Sequence, residues 1–175
     1  ISCPNVKKGG MEFGIDCDLT LKLTEELRSL TQRLLIIKLS PNVTDIAAIA
    51  ISAEEGGADA VSAINTIVGM SIDVHSRKSN VFTKYAGLSG PAIRPIGIAS
   101  VYKVFRAIKI PIIGIGGITN GTDVLEYMLA GALAVQVGTS NYSDPGIAIS
   151  IIDDLNSYIE QNNFDTLTDL VGEVL

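Results

Sequence analysis

Pro111-Ile112-Ile113-Gly114-Ile115-Gly116-Gly117 and Ala134-Val135-Gln136-Val137-Gly138-Thr139 decide how this chain is read. Each is a run of apolar, largely β-branched residues that stops on glycine, and one helix-sized segment lies between them. A strand, a crossover helix and a second, parallel strand account for that pattern. Glycine at the carboxyl end of a strand lets backbone N–H groups approach a ligand with no Cβ in the way. A helix N-terminus just beyond it favours an anion. One Gly-Gly pair serves a tight turn equally well, but two glycine-bearing strand ends in succession point to a phosphate.

The alternation continues upstream of this unit. After a loop with Cys3, Gly9-Gly10 and Gly14, Asp18 is placed to cap a helix running to about Thr31. Leu34 to Ser40 reads as a buried parallel strand with Lys38 near its end, broken by Pro41-Asn42. Thr44 or Asp45 starts a helix through Glu55, which Gly56-Gly57 ends. Ala58 to Asn65 is the next strand. Residues 66–88 lack a helical period, and within this excursion, about 67–87, Ser71–Ser76 and Asn80–Tyr85 are expected to pair as a hairpin around Arg77-Lys78. An excursion so long marks either a functional or partner surface or a decorative hairpin. A helix near Ala92–Ile108 follows, with Pro91 and Pro95 tolerable in its first turns.

Between the two opening strands the helix is Asn120–Ala130. Beyond them, Asp144-Pro145 starts a helix to about Gln161, and Thr166–Val174 is expected to form a short amphipathic tail helix. The chain opens without Met on Ile1, which reads as the end of a clipped strand, so a truncated chain is expected. Counting Ile1 gives five strands, each followed by a helix. The predicted fold class is therefore α/β: a (βα)8 TIM barrel, which takes about 250 residues when closed, with this chain covering roughly its last five strand–helix units. Residues 1–175 form one domain, the carboxyl-terminal part of that barrel. A five-stranded doubly wound sheet is the competing arrangement. The polar residues that end every strand favour the barrel, where such ends converge on one face.

Composition narrows the partners. A net charge of −6 and only paired basic residues, Lys7-Lys8 and Arg77-Lys78, argue against nucleic acid. Apolar runs such as Leu34–Ile37 and Ile147–Ile152 are too short to span a bilayer, and neither a membrane anchor nor a signal peptide is expected from them. Cys3 and Cys17 lack metal-ligand spacing, so free thiols in a reducing cytoplasm are expected.

The strand ends supply the candidate chemistry: Cys3 and Asn5, Lys38 and Ser40, Asn65 and Thr66, Gly116-Gly117, Gly138-Thr139. This set holds a thiol, one cation, two carboxamides and a phosphate cradle, without carboxylate or histidine. It suits a planar hydrogen-bonding ring beside a phosphorylated cofactor better than hydrolysis or metal chemistry. Each member also has a plainer role. Cys3 alone reads as a small buried hydrophobe, although a thiol in a glycine-rich loop, with an ordinary pKa of about 8.5, lies within reach of acid–base work. Asn65 serves as a cap, Asn5 as a turn residue and His75 as a solvated side chain. Lys38 on an apolar strand is costly to bury unless something anionic meets it.

Ser2-Cys3-Pro4-Asn5-Val6-Lys7, Lys38-Leu39-Ser40-Pro41-Asn42, Ile64-Asn65-Thr66, Gly87-Leu88-Ser89-Gly90-Pro91-Ala92, Ile113-Gly114-Ile115-Gly116-Gly117 and Val137-Gly138-Thr139 together resemble class 1 dihydroorotate dehydrogenases. The segment from Cys3 to Gly14 resembles the class 1B catalytic subunit, which passes electrons to NAD through a partner; membrane-bound class 2 enzymes carry Ser where Cys3 stands. The resemblance implies an FMN enzyme that oxidises dihydroorotate to orotate in pyrimidine synthesis. Cys3 would take the C5 proton as the C6 hydride passes to flavin N5. Asn5, Asn65 and Thr66 would hydrogen-bond the pyrimidine. Lys38 would contact the flavin ring, Ile64 and Gly90 would line it, and Gly116, Gly117, Gly138 and Thr139 would grip the ribityl phosphate. A homodimer is implied, with FAD and a 2Fe-2S cluster confined to a separate electron-transfer subunit.

Two departures stand out. Cys17 occupies a place where the family usually has Pro. The Asn expected before Ile1, with the first strands and their flavin contacts, is absent, so this piece alone is expected neither to hold FMN tightly nor to turn over. A phosphate-binding barrel lyase or isomerase shares the glycine cradle but needs acidic or basic groups at strand ends, where only Lys38 qualifies. A non-catalytic truncated module is the third reading.

Overall fold

A computed structural model describes residues 1–2 and 13–174. In chain order its elements are α1 (Cys17–Leu30), β1 (Ile36–Lys38), α2 (Ile46–Glu55), β2 (Ala60–Ala63), β3 (Ile67–Gly69), β4 (Ile72–Asp73), β5 (Lys78–Ser79), β6 (Ala86–Leu88), α3 (Arg94–Phe105), β7 (Ile112–Ile115), α4 (Gly121–Leu129), β8 (Ala134–Gln136), α5 (Ser140–Ser143) and α6 (Ile147–Asn162). Short 3-10 helices occur at Pro91–Ile93 and Leu167–Leu170.

β1, β2, β7 and β8 form a parallel sheet in that order, with Lys38 level with Ser62, Ser62 with Ile113, and Ile113 with Ala134. Strand order therefore follows chain order without reversal. Helices α1, α2, α3, α4 and α6 likewise pack each on the next in one row. A doubly wound sheet reverses its strand order at a switch point and carries helices on both faces, so this arrangement is the wall of a (βα) barrel. Side chains alternate accordingly. Ile37, Leu39, Ile112 and Gly114 are buried, and with Ile49, Ala53, Val101, Val104, Val124 and Tyr127 they belong to the core between sheet and helices. All of β2 is buried, as befits a strand paired on both sides.

Several boundaries differ from the sequence reading for local reasons. Asp16, not Asp18, caps α1: its backbone is extended and its Oδ1 accepts from Leu19 N at 2.9 Å, while Asp18 lies in the first turn. No strand forms at Ile1–Ser2; the Ser2 carbonyl accepts from the Asn65 side chain instead. The excursion is two nested hairpins, β3 with β6 and β4 with β5. Asp73 accepts from His75 N and Ser76 Oγ, which tightens the turn, so Lys78 joins a strand and the stretch from Asn80 to Tyr85 turns away from the ladder. Pro91 makes a 3-10 turn before α3, which ends at Phe105. A helical turn, α5, precedes α6, whose start falls at Ile147 because Asp144 instead accepts from Gly146 N. The tail is a 3-10 turn: Gly172 takes a left-handed φ of 80° and donates to Met128 O, pinning the tail to the end of α4.

Candidate active site

The strand tips open on one cleft of about 230 Å³. Lys38 enters it from β1, Ile64, Asn65 and Thr66 from the end of β2, Gly90 from the turn ahead of α3, Gly116 and Gly117 from the end of β7, and Gly138 and Thr139 from beyond β8. Among the candidates within the described part of the chain, all but Ser40 line the same cavity; Ser40 is buried behind the rim, where its Oγ accepts from Asn42. Cys3 and Asn5 lie outside the described residues. Ser89, Ile93, Ile115 and Tyr142 complete the wall and were not singled out from sequence. Ser89 had a signal in its place beside Gly90, whereas nothing in the sequence marks exposed Tyr142.

Among the described residues, Lys38 is the one charged residue in that wall, and no carboxylate there forms an ion pair with it. A half-buried ammonium without a protein counterion favours an anionic or electron-rich guest. Asn65 donates through Nδ2 to Ser2 O at 2.7 Å and Ser2 Oγ at 2.9 Å, and its Oδ1 accepts from Thr66 N at 2.7 Å. Its amide therefore ties the rim to the residue that precedes Cys3 in sequence. Asn42 braces the same rim, donating to Thr66 O at 3.0 Å and accepting from Val68 N at 2.9 Å.

The glycine-bearing tips are cross-linked. Thr139 Oγ1 donates to Ser89 Oγ at 2.7 Å, and Ser140 Oγ donates to Ile118 O at 2.6 Å. Buried Asp123 accepts from Thr119 N and Thr119 Oγ1, each at 2.8 Å, and pairs with Arg94, whose Nε lies 3.2 Å from Glu126 Oε2. Among the described residues, no protein acceptor meets the backbone N–H of Gly117, Gly138 or Thr139. Free N–H groups at adjoining strand ends make an anion-binding concavity. A larger groove of about 630 Å³ runs between α3 and α4, but it is lined mainly by apolar residues such as Pro95, Ile98 and Leu129 and holds none of the strand-tip residues.

No helix among the described residues is long and apolar enough to cross a membrane, and no cluster of His, Cys, Asp or Glu there has the makings of a metal site. Cys17 is a free thiol.

Known proteins resemble this chain over nearly its whole length. A catalytic subunit of dihydroorotate dehydrogenase B (NAD(+)) from Thermoanaerobacter sp. is 48% identical over 174 residues, covering 99% of this chain and 58% of the relative. The corresponding subunit from Parabacteroides distasonis is 48% identical over 172 residues, covering 98% and 56%. The crystal structure of a dihydroorotate dehydrogenase from Eimeria tenella in complex with ferulenol superposes with a TM-score of 0.77 at 27% identity, covering 98% of this chain and 51% of that one. The chain thus spans somewhat more than half the length of the curated relatives. The family model described as dihydroorotate dehydrogenase matches residues 1–159, and the chain belongs to that family.

Proposed function

We propose that this chain forms the carboxyl-terminal wall of the catalytic unit of an NAD-linked, class 1B dihydroorotate dehydrogenase, which oxidises dihydroorotate to orotate with FMN. The observation that carries this reading is the meeting of Lys38, Asn65, Thr66 and two glycine-bearing strand tips in one cleft whose wall, among the described residues, has no carboxylate and no imidazole. The residues present fit FMN: a Cβ on Gly90 or Gly138 would meet nothing within 4 Å, which leaves room at the cradle, and free N–H groups stand there for a phosphate. When bound, FMN supplies the acceptor for the substrate's hydride.

The chain's own residues do the rest. Gly116, Gly117, Gly138 and Thr139 hold the phosphate, and Ile64 and Gly90 flank the ring system. Lys38 sets a fixed positive charge beside it, where electron density grows during the reaction. Thr66, Asn65 and Asn5 hydrogen-bond the pyrimidine, and Asn65 also anchors Ser2 ahead of Cys3. Cys3 removes the C5 proton as the general base. A separate subunit with FAD and a 2Fe-2S cluster accepts the electrons, and the catalytic unit pairs as a homodimer in the cytoplasm, a setting suited to the free thiol of Cys17.

Anaerobic mixing of the full-length protein with dihydroorotate tests the proposal through bleaching of the flavin absorbance. In Cys3→Ser, bleaching at neutral pH should slow and the pH profile should move upward, because a hydroxyl is a far weaker acid than a thiol of pKa about 8.5. Equal rates for both proteins from about pH 6 to 9 would take the base role from Cys3. A full-length protein whose flavin does not bleach would overturn the activity itself.

A further inference from the structure

The cradle is shaped from behind by a residue that never reaches the cleft. Tyr127 on α4 is the largest of the fully buried side chains. Its ring occupies a slot that two neighbours leave open: a Cβ on Gly97 of α3 would stand 2.0 Å from the Tyr127 hydroxyl oxygen, and one on Gly114 of β7 would stand 2.5 Å from the ring. From that slot the hydroxyl donates to Gly116 O at 2.8 Å. Burial holds the hydroxyl's pKa far above its ordinary value, so it remains a neutral donor.

The peptide joining Gly116 to Gly117 is trans, and in a planar trans peptide the carbonyl and the following N–H point in opposite directions. A Gly116 carbonyl drawn towards α4 therefore turns the Gly117 N–H the other way, to the cleft, where no described protein acceptor meets it. Left alone, this unit would be loosely set, because glycine on both sides puts little steric resistance against rotation of the peptide. α4 removes that freedom. Asp123, one turn before Tyr127 on the same helical face, holds Thr119 at the far end of the turn while Tyr127 holds Gly116 at the near end. Arg94 fixes Asp123 in turn.

We infer that Tyr127 is a positioning residue, which acts through the Gly116 carbonyl to aim the Gly117 N–H into the cleft and so sets the preference for a phosphate-bearing flavin over the same flavin without its phosphate. The inference rests on the reading that FMN occupies the cleft, and one experiment separates the two. The full-length protein, stripped of flavin, is titrated with FMN and with riboflavin, and quenching of flavin fluorescence is followed. Tyr127→Phe keeps the ring and removes the donor. It should weaken FMN binding about fivefold, the scale of one net hydrogen bond, and leave riboflavin affinity unchanged. Gly97→Ala, whose Cβ would displace the hydroxyl from the α3 side, leaves the residues of α4 unchanged and should likewise weaken FMN more than riboflavin. Equal weakening for both flavins would make Tyr127 a packing residue and overturn the inference, as would an unchanged preference in both variants. A wild-type protein that binds riboflavin as tightly as FMN would remove the phosphate cradle, and this inference with it.

Discussion

Gly117 and Gly138 face the same cleft, but different constraints make each a glycine. Gly117 has a left-handed φ of 71°, and a Cβ there would lie 2.7 Å from Gly90 O and 2.9 Å from Arg94 Cβ. Gly138 has an ordinary backbone, and its Cβ would project into open space. Gly117→Ala should therefore lower stability by about 1 to 2 kcal/mol from the backbone alone, with further loss from the crowding, visible as a lower melting temperature. Gly138→Ala should leave the melting temperature within the small range of neutral surface changes, about 0.5 kcal/mol. In the full-length protein it should cut FMN affinity on the order of tenfold, as for one charge-assisted hydrogen bond denied to the phosphate. A Gly138→Ala protein that binds FMN normally would remove this tip from the cradle. The glycine tips and Lys38 were legible in the sequence because each breaks a local rule, a strand ending on glycine or a charge within an apolar run. Tyr127 was not, because its purpose depends on Gly97, Gly114 and Gly116, which only the fold brings together.

Single contacts between elements carry their own chemistry. Arg28, in the last turn of α1, donates to Gly57 O at 2.8 Å and pairs with Asp59, which also accepts from Leu35 N at 2.7 Å. One guanidinium thereby ties the end of α1 to the loop between α2 and β2. The Leu35 N–H and then Arg28 hold the Asp59 carboxyl below its ordinary value of 3.8. A carboxyl depressed on folding stabilises the native state fully above its unfolded value, and that contribution fades as pH falls through the folded one. Asp59→Asn should thus melt at a lower temperature than the wild type at neutral pH, with the gap narrowing as pH falls below 3.8. A gap that persists unchanged in acid would assign the effect to something other than charge. The main sheet strands and the helices packed on them followed from hydrophobic period, which is a property of many residues at once, whereas the strand expected at Ile1 and the expected tail helix did not form. Element ends did not follow from it, because a single side chain decides them: Asp16 shifts the start of α1, and Asp73 redraws a whole hairpin.

On the scale of the molecule, β1 and β8 bound the described sheet, and neither has a second strand partner among the described residues. Apolar side chains stand exposed beside them, with Leu34 at 72% and Leu133 at 47% exposure. Open edges with apolar neighbours invite pairing with other chains. The 175-residue chain purified by itself should therefore self-associate on gel filtration and retain less than one flavin per chain. A monodisperse yellow protein that turns over dihydroorotate would contradict this. The barrel was legible from the alternation of strands and helices, and the order of the sheet decided against a doubly wound arrangement.

That order also bears on how the molecule comes into being. Each strand docks beside the strand that emerged just before it, and each helix beside its immediate predecessor, with the nested ribbon as the main detour. The entropy of closing each loop grows only slowly with its length, so even the long excursion between β2 and β7 adds little to the cost of pairing them. Because a polypeptide is made from its amino end, every strand of this sheet finds its upstream neighbour already synthesised.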